Sequence, residues 1–207
     1  MVDFRFYLIG DRTRCAGRSL ASALGQACRA GVRAVQIREK DLATPDLLAL
    51  TREVQTELGS LRPVLTVNSN LEVAAACRAG GVHLPESGMP VREARAALPA
   101  GILIGRSTHG KDSARAAEAE GADFVTFGPV YDTPSKAGYG PPQGIQGLAE
   151  AAGSVTIPVF ALGGVTPGRT RACLEAGASG VAAISAVLSQ SDIPEAVKKF
   201  EKALGGL

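Results

Sequence analysis

Gln36, Arg38 and Lys40 fall on alternate positions of the stretch Val35-Gln36-Ile37-Arg38-Glu39-Lys40. Apolar–polar alternation of period two is the pattern of a strand, so an amide and two cations share one face. Polar groups on a strand inside a compact domain need partners. The partner expected here is an anion at the strand's carboxyl end. The competing reading is an ion pair within the protein, with Glu39 or Asp41. Two further regions offer chemistry. Leu162-Gly163-Gly164-Val165 and Ile184-Ser185-Ala186 suit a phosphate cup. Glycine lets backbone amides approach an anion, and a following helix start points further amides at it. Ser107-Thr108-His109 carries an imidazole, which both takes and gives a proton near neutral pH. The plainer role for His109 is a local hydrogen bond at the helix start near Asp112. His83 lies within an apolar strand and is expected as a satisfied interior residue. Thr133, Ser135 and Lys136 belong to a Gly/Pro-rich loop, 128–144, of the kind that closes over sites.

The hydrophobic pattern supplies the elements that must hold these groups. Strands are expected at 6–9, 35–40, 63–67, 82–84, 102–104, 123–127, 158–162 and 180–184. Helical spacing fills the gaps between them. Ser19 caps a helix running to Ala30, and Thr44 caps one with Pro45 and Asp46 in its first turn. Ala30-Gly31-Val32, Ala79-Gly80-Gly81, Glu120-Gly121-Ala122 and Ala176-Gly177-Ala178 each close a helix just before a strand, as a glycine C-cap does. Near-continuous apolar strands alternating with amphipathic helices mean a parallel sheet covered by helices. About eight such units in one chain of this length predict an α/β fold, a (β/α)8 TIM barrel forming one domain over 1–207. The runner-up is an open doubly wound sheet, but no G-x-G-x-x-G follows the first strand. In a barrel, reactive residues gather at the carboxyl ends of the strands, where Asn68 and the groups above all fall.

The chain has 207 residues, 45% hydrophobic and 20% charged, with a net charge of +2. That excess is too small to indicate nucleic acid or membrane as a partner. Aromatic residues make up 4% and Trp is absent, so an aliphatic core is expected. Cys15, Cys28, Cys77 and Cys173 form no C-x-x-C pair and no zinc-finger spacing. Reduced thiols and a cytoplasmic location are the simplest account. The start Met1-Val2-Asp3-Phe4-Arg5 reads as neither signal peptide nor transmembrane segment. Whether copies associate into a homo-oligomer is left open.

Six segments together resemble the thiamine-phosphate synthase/TenI superfamily along nearly the whole chain. They are Tyr7-Leu8-Ile9-Gly10-Asp11, Gln36-Ile37-Arg38-Glu39-Lys40, Gly81-Val82-His83-Leu84, Ile104-Gly105-Arg106-Ser107-Thr108-His109, Phe127 to Lys136, and Ala161-Leu162-Gly163-Gly164-Val165. The resemblance implies a small phosphorylated thiazole as ligand and a place in thiamine biosynthesis. Resemblance to the synthases, which join a pyrimidine pyrophosphate to a thiazole phosphate, puts the pyrophosphate on Gln36, Arg38, Lys40, Asn68, Ser135 and Lys136. Those enzymes hold Mg²⁺ with two aspartates. This chain has Ser69 at one position and the loop Pro85-Glu86-Ser87-Gly88-Met89 at the other; Glu86 and Glu72 are nearby acids off the matching positions. The His-Leu-Pro loop and the Gly-Arg-Ser-x-His segment resemble TenI, which tautomerises a carboxythiazole phosphate without a metal. That resemblance makes His109 the acid/base group, with Arg38 or Lys40 on the substrate carboxylate. The expectation is a TenI-like tautomerase with no cofactor, in which Ser107 and Thr133 join the substrate-binding set and Gly163, Gly164, Ile184 and Ser185 take the phosphate. The alternatives are a synthase using Mg²⁺ and a barrel that only binds thiazole or thiamine phosphate.

Overall fold

In the computed structural model, which describes residues 2–133 and 141–205, eight parallel strands close into a ring in chain order. They are β1 (Phe6–Gly10), β2 (Ala34–Ile37), β3 (Val64–Asn68), β4 (Gly81–Leu84), β5 (Leu103–Thr108), β6 (Phe124–Phe127), β7 (Val159–Ala161) and β8 (Gly180–Ala183). Phe6, Tyr7 and Leu8 of β1 register with Val181, Ala182 and Ala183 of β8, which closes the ring and removes the open-sheet alternative. Around it run α1 (Leu20–Arg29), α2 (Thr44–Leu58), α3 (Leu71–Ala76), α4 (Val91–Ala97), α5 (Lys111–Ala119), α6 (Gly144–Ala152), α7 (Pro167–Glu175), α8 (Ser185–Leu188) and α9 (Ile193–Ala203).

The local chemistry of these elements departs from expectation in three places. Ser19 does cap α1, accepting from the Ser22 amide at 3.1 Å. Thr44 is not a cap: Ala43 holds that position without a side-chain bond, and the Thr44 hydroxyl accepts instead from Asn70 Nδ2 at 3.0 Å. Three of the four expected glycine stops have positive φ, at Gly31, Gly121 and Gly177, but before β4 the left-handed residue is Arg78. Gly81 is needed for closeness instead, because a Cβ there would lie 2.6 Å from the Leu103 carbonyl oxygen. Strand β2 also ends earlier than its alternation suggests, at Ile37.

Two cores result. Leu, Val, Ile and Ala from the outer strand faces pack against the helices, as the composition predicts, and all four thiols are free and buried there. The ring's interior is different. Phe4, Tyr7, Phe124 and Phe160 plug it, with the Phe4 and Phe160 rings stacked at 5.1 Å and Tyr7 edge-on to Phe124 at 5.4 Å. Closing a ring brings a few aromatic residues from distant strands into one small volume, which an average over the chain conceals.

Glycine at the inward position of β5 makes room for one of those rings, Phe124, and for His83. A Cβ on Gly105 would sit 2.5 Å from His83 Nδ1 and also collide with Phe124. Gly105→Ala is therefore expected to cost roughly 1–3 kcal/mol by overpacking, read as a lower midpoint in denaturant titration. An unchanged midpoint would show that the interior has slack.

Candidate active site

Polar residues sit directly above the aromatic plug, in two linked groups. Tyr7 receives a bond from Gln36 Nε2 at 2.8 Å and shares one of 2.6 Å with Thr66 Oγ1. Gln36 is only 1% exposed, so its amide nitrogen is committed to the barrel's floor rather than to the rim. Burial pushes the Tyr7 hydroxyl's pKa well up, keeping it a neutral donor. Across the ring, His83 Nε2 lies 3.1 Å from Ser107 Oγ and 3.2 Å from Thr126 Oγ1. His83 is interior, as expected, but only half satisfied: its Nδ1 is buried without a hydrogen-bond partner among the described residues. Burial, helped by the charges of Arg38 and Arg106, pulls the His83 pKa down to about 3.

The rim above carries the cations. Arg38 is half-buried and Lys40 exposed, both just past the end of β2. The internal ion pair considered for them does not form. Arg12 takes both acids instead, holding Glu39 at 2.5 Å and Asp41 at 2.5 Å. Its amide also donates to Glu39 Oε1 at 2.7 Å. Burial still pushes the Glu39 carboxyl up, a pull that Arg12 only partly offsets. Among the described residues, Arg38 and Lys40 then have no acidic partner. The Lys40 ammonium is pulled down, first by the charge of Arg38 and then by burial. Two cations that repel each other at one strand end form a site for an anion. Asn68 ends β3 half-buried and donates to Ser69 Oγ at 2.9 Å.

His109 follows β5 directly, and its surroundings are more specific than a helix start requires. Its Nδ1 donates to the Gly128 carbonyl, which can only accept. In the neutral ring that leaves Nε2 with a lone pair, facing Glu86 Oε2 at 3.9 Å. Glu86 Oε1 accepts from the His109 backbone amide at 3.0 Å. Arg106 fixes the loop that carries Glu86, donating to the carbonyls of Glu86 at 2.6 Å and Met89 at 2.5 Å. The partnership of Glu86 with His109, and the bracing by Arg106 and Arg12, escaped sequence reasoning. Their only trace was an acid in a loop at the expected rim.

The glycine turn after β7 has positive φ at both Gly163 and Gly164. A Cβ on Gly163 would lie 2.5 Å from Pro129 Cα, and one on Gly164 2.6 Å from the Asp132 carbonyl oxygen. Tyr131's amide donates to Gly163 O at 3.0 Å and Arg169 to Gly164 O at 2.7 Å. Both carbonyls are thus occupied, while among the described residues neither glycine amide has an acceptor. Ile184 and Ser185 lie at the end of β8, where Ser185 begins a four-residue helix. Thr133 is half-buried at the start of the long loop. Ser135 and Lys136 lie outside the described residues.

A divalent ion of the kind a synthase uses finds a poor donor set. Ser69 is exposed with its hydroxyl bonded to Asn68, and Glu86 is directed at His109. Among the described residues no three His, Cys, Asp or Glu side chains converge as a metal group would need. Nor is any described helix long and apolar enough to cross a membrane.

The fold and rim define a class: a (β/α)8 barrel whose carboxyl-end mouth carries an oriented imidazole, with cations and backbone amides that are unpaired among the described residues. Comparison with known proteins narrows it. The family model described as thiamine monophosphate synthase matches residues 6–187. A Geobacter sulfurreducens protein, provisionally named a thiamine-phosphate synthase, is 49% identical over 191 residues, covering 92% of this chain and 90% of the relative. A thiamine-phosphate synthase from Syntrophomonas wolfei is 36% identical over 200 residues, covering 97% of this chain and 96% of that one. The solved thiamine phosphate pyrophosphorylase from Pyrococcus furiosus superposes with a TM-score of 0.86 at 29% identity, over 97% of this chain and 95% of the other. The chain belongs to the thiamine monophosphate synthase family, the thiamine-phosphate synthase/TenI superfamily of thiamine biosynthesis.

The depressed pKa of His83 has a consequence for stability. The native ring resists protonation down to about pH 3, whereas the unfolded residue binds a proton near the ordinary histidine value of 6.5. Between those limits the unfolded chain holds more protons, so the contribution of His83 is full above about pH 6.5 and is lost as pH falls. Chemical denaturation across that window should show wild type losing stability faster than His83→Gln, which cannot titrate. Parallel curves would mean that the ring protonates freely in the fold.

Proposed function

We propose that the chain is a TenI-like thiazole tautomerase, converting a carboxythiazole phosphate tautomer into its aromatic form by proton transfer at His109. The observation that carries this reading is the orientation of that ring. Nδ1 is held as a donor on the Gly128 carbonyl, and Nε2 is left as a base beside the Glu86 carboxylate. Nε2 removes the proton from the ring carbon bearing the carboxylate. The C–H electron pair becomes a new ring double bond to nitrogen, and the ring's existing double bond moves one place. The exocyclic double bond then takes the proton back from Nε2 at its outer carbon. Glu86 favours the transient imidazolium, and aromatisation drives the reaction. Arg38 and Lys40 hold the substrate carboxylate and the charge that develops on it. The open amides of Gly163 and Gly164, with Ile184 and Ser185, receive the phosphate.

A second reading is favoured by the names that the relatives carry: a thiamine-phosphate synthase, joining hydroxymethylpyrimidine pyrophosphate to thiazole phosphate with loss of pyrophosphate. What counts against it is residue chemistry, namely Ser69 and the engaged Glu86 in place of acids free for a metal. A barrel that merely binds the thiazole would need no oriented base.

One set of assays separates these. His109→Ala is expected to slow tautomerisation about 100- to 10,000-fold, the usual worth of a general acid–base group, while thiazole phosphate affinity stays within about threefold. Glu86→Gln should lose less, roughly tenfold, because it removes only the imidazolium's counter-charge. Mg²⁺-dependent release of pyrophosphate by wild type, with no tautomerisation, would replace this proposal with the synthase.

A further inference from the structure

His83 is a buried titratable residue to which the proton transfer assigns nothing. Its ring stands inside the barrel, 5.8 Å from the Tyr7 ring and 5.7 Å from that of Phe124. The unpartnered Nδ1 lies against Gly105, where even a methyl group would intrude to 2.5 Å. A buried N–H without an acceptor is rarer and costlier than an unused lone pair. In the neutral ring the proton therefore belongs on Nε2, between the hydroxyls of Ser107 at 3.1 Å and Thr126 at 3.2 Å. An oxygen that accepts a bond from beneath directs its own hydrogen elsewhere. Thr126 is 1% exposed, whereas Ser107 is half-buried at the carboxyl end of β5. Of the two hydroxyls, only that of Ser107 can reach the mouth.

We infer that His83 is a positioning residue, which fixes the Ser107 hydroxyl as a donor to an anionic carboxylate oxygen of the ligand. This rests on the thiazole reading above. It explains why a polar ring is kept beside Tyr7 and Phe124 and why β5 carries glycine at position 105. It also divides recognition of the ligand: cations at the end of β2 supply charge, while the His83–Ser107 pair supplies direction.

The test is a calorimetric binding cycle on the full chain. Carboxythiazole phosphate and thiazole phosphate lacking the carboxylate are titrated into wild type, His83→Leu, Ser107→Ala, the double variant and His83→Gln. His83→Leu and Ser107→Ala should each weaken carboxythiazole phosphate about tenfold, the scale of one hydrogen bond to a charged group, and spare the other ligand. The double variant should bind as Ser107→Ala alone does, because His83 acts only through Ser107. His83→Gln, whose amide nitrogen reaches as far as Nε2, should bind within about threefold of wild type. If His83→Leu does not fold, His83→Asn, whose amide is too short, takes its place in the cycle. Losses that multiply in the double variant, equal losses for both ligands, or wild-type binding by the shortened variant overturn the inference. Wild type that binds carboxythiazole phosphate without tautomerising it refutes only the role given to His109.

Discussion

A closed ring of strands leaves its inward polar groups no water, and each must be satisfied by another strand or by whatever enters the mouth. That constraint organises this protein. Tyr7, Gln36 and Thr66 satisfy one another across β1, β2 and β3. His83 Nε2, Ser107 and Thr126 do the same across β4, β5 and β6, leaving His83 Nδ1 unpartnered among the described residues. Together they form a level polar floor on an aromatic plug, and groups left open above that floor face the mouth.

The rim is held differently, because loops have no ladder of backbone bonds. Arg12 ties the segment after β1 to Glu39 and Asp41 after β2, and Arg106 ties β5 to the loop after β4. Each brace also settles an electrostatic question. By taking both acids, Arg12 leaves Arg38 and Lys40 without an acidic partner among the described residues. By fixing the loop of Glu86, Arg106 sets a carboxylate opposite His109. Glu39 is almost fully buried, so loss of the Arg12 guanidinium would leave its carboxylate without a facing cation.

Family membership and residue chemistry speak to different levels of function. The barrel, the glycine turn after β7 and the cations after β2 suit any member that grips a phosphorylated thiazole. The reaction is decided by what surrounds the bound ligand. Here an imidazole with a fixed tautomer faces a carboxylate at the rim, and the Ser69 hydroxyl is engaged by Asn68.

Much of the fold was legible in the chain because strand and helix periodicity are local. All eight strands, the order of elements, and the placement of Arg38, Lys40, Asn68, Ser107 and His109 near carboxyl ends follow from patterns a few residues long. The pairing of Arg12 with Glu39, of Glu86 with His109 and of Tyr7 with Gln36 did not, since those partners lie 27, 23 and 29 residues apart. The same holds for the fate of Gln36, whose alternation with Arg38 predicted a shared face but not which one would be sealed beneath the rim. Periodicity tells which way a side chain points from its own strand. Only ring closure, which brings distant strands to a common axis and excludes water between them, determines what it meets there.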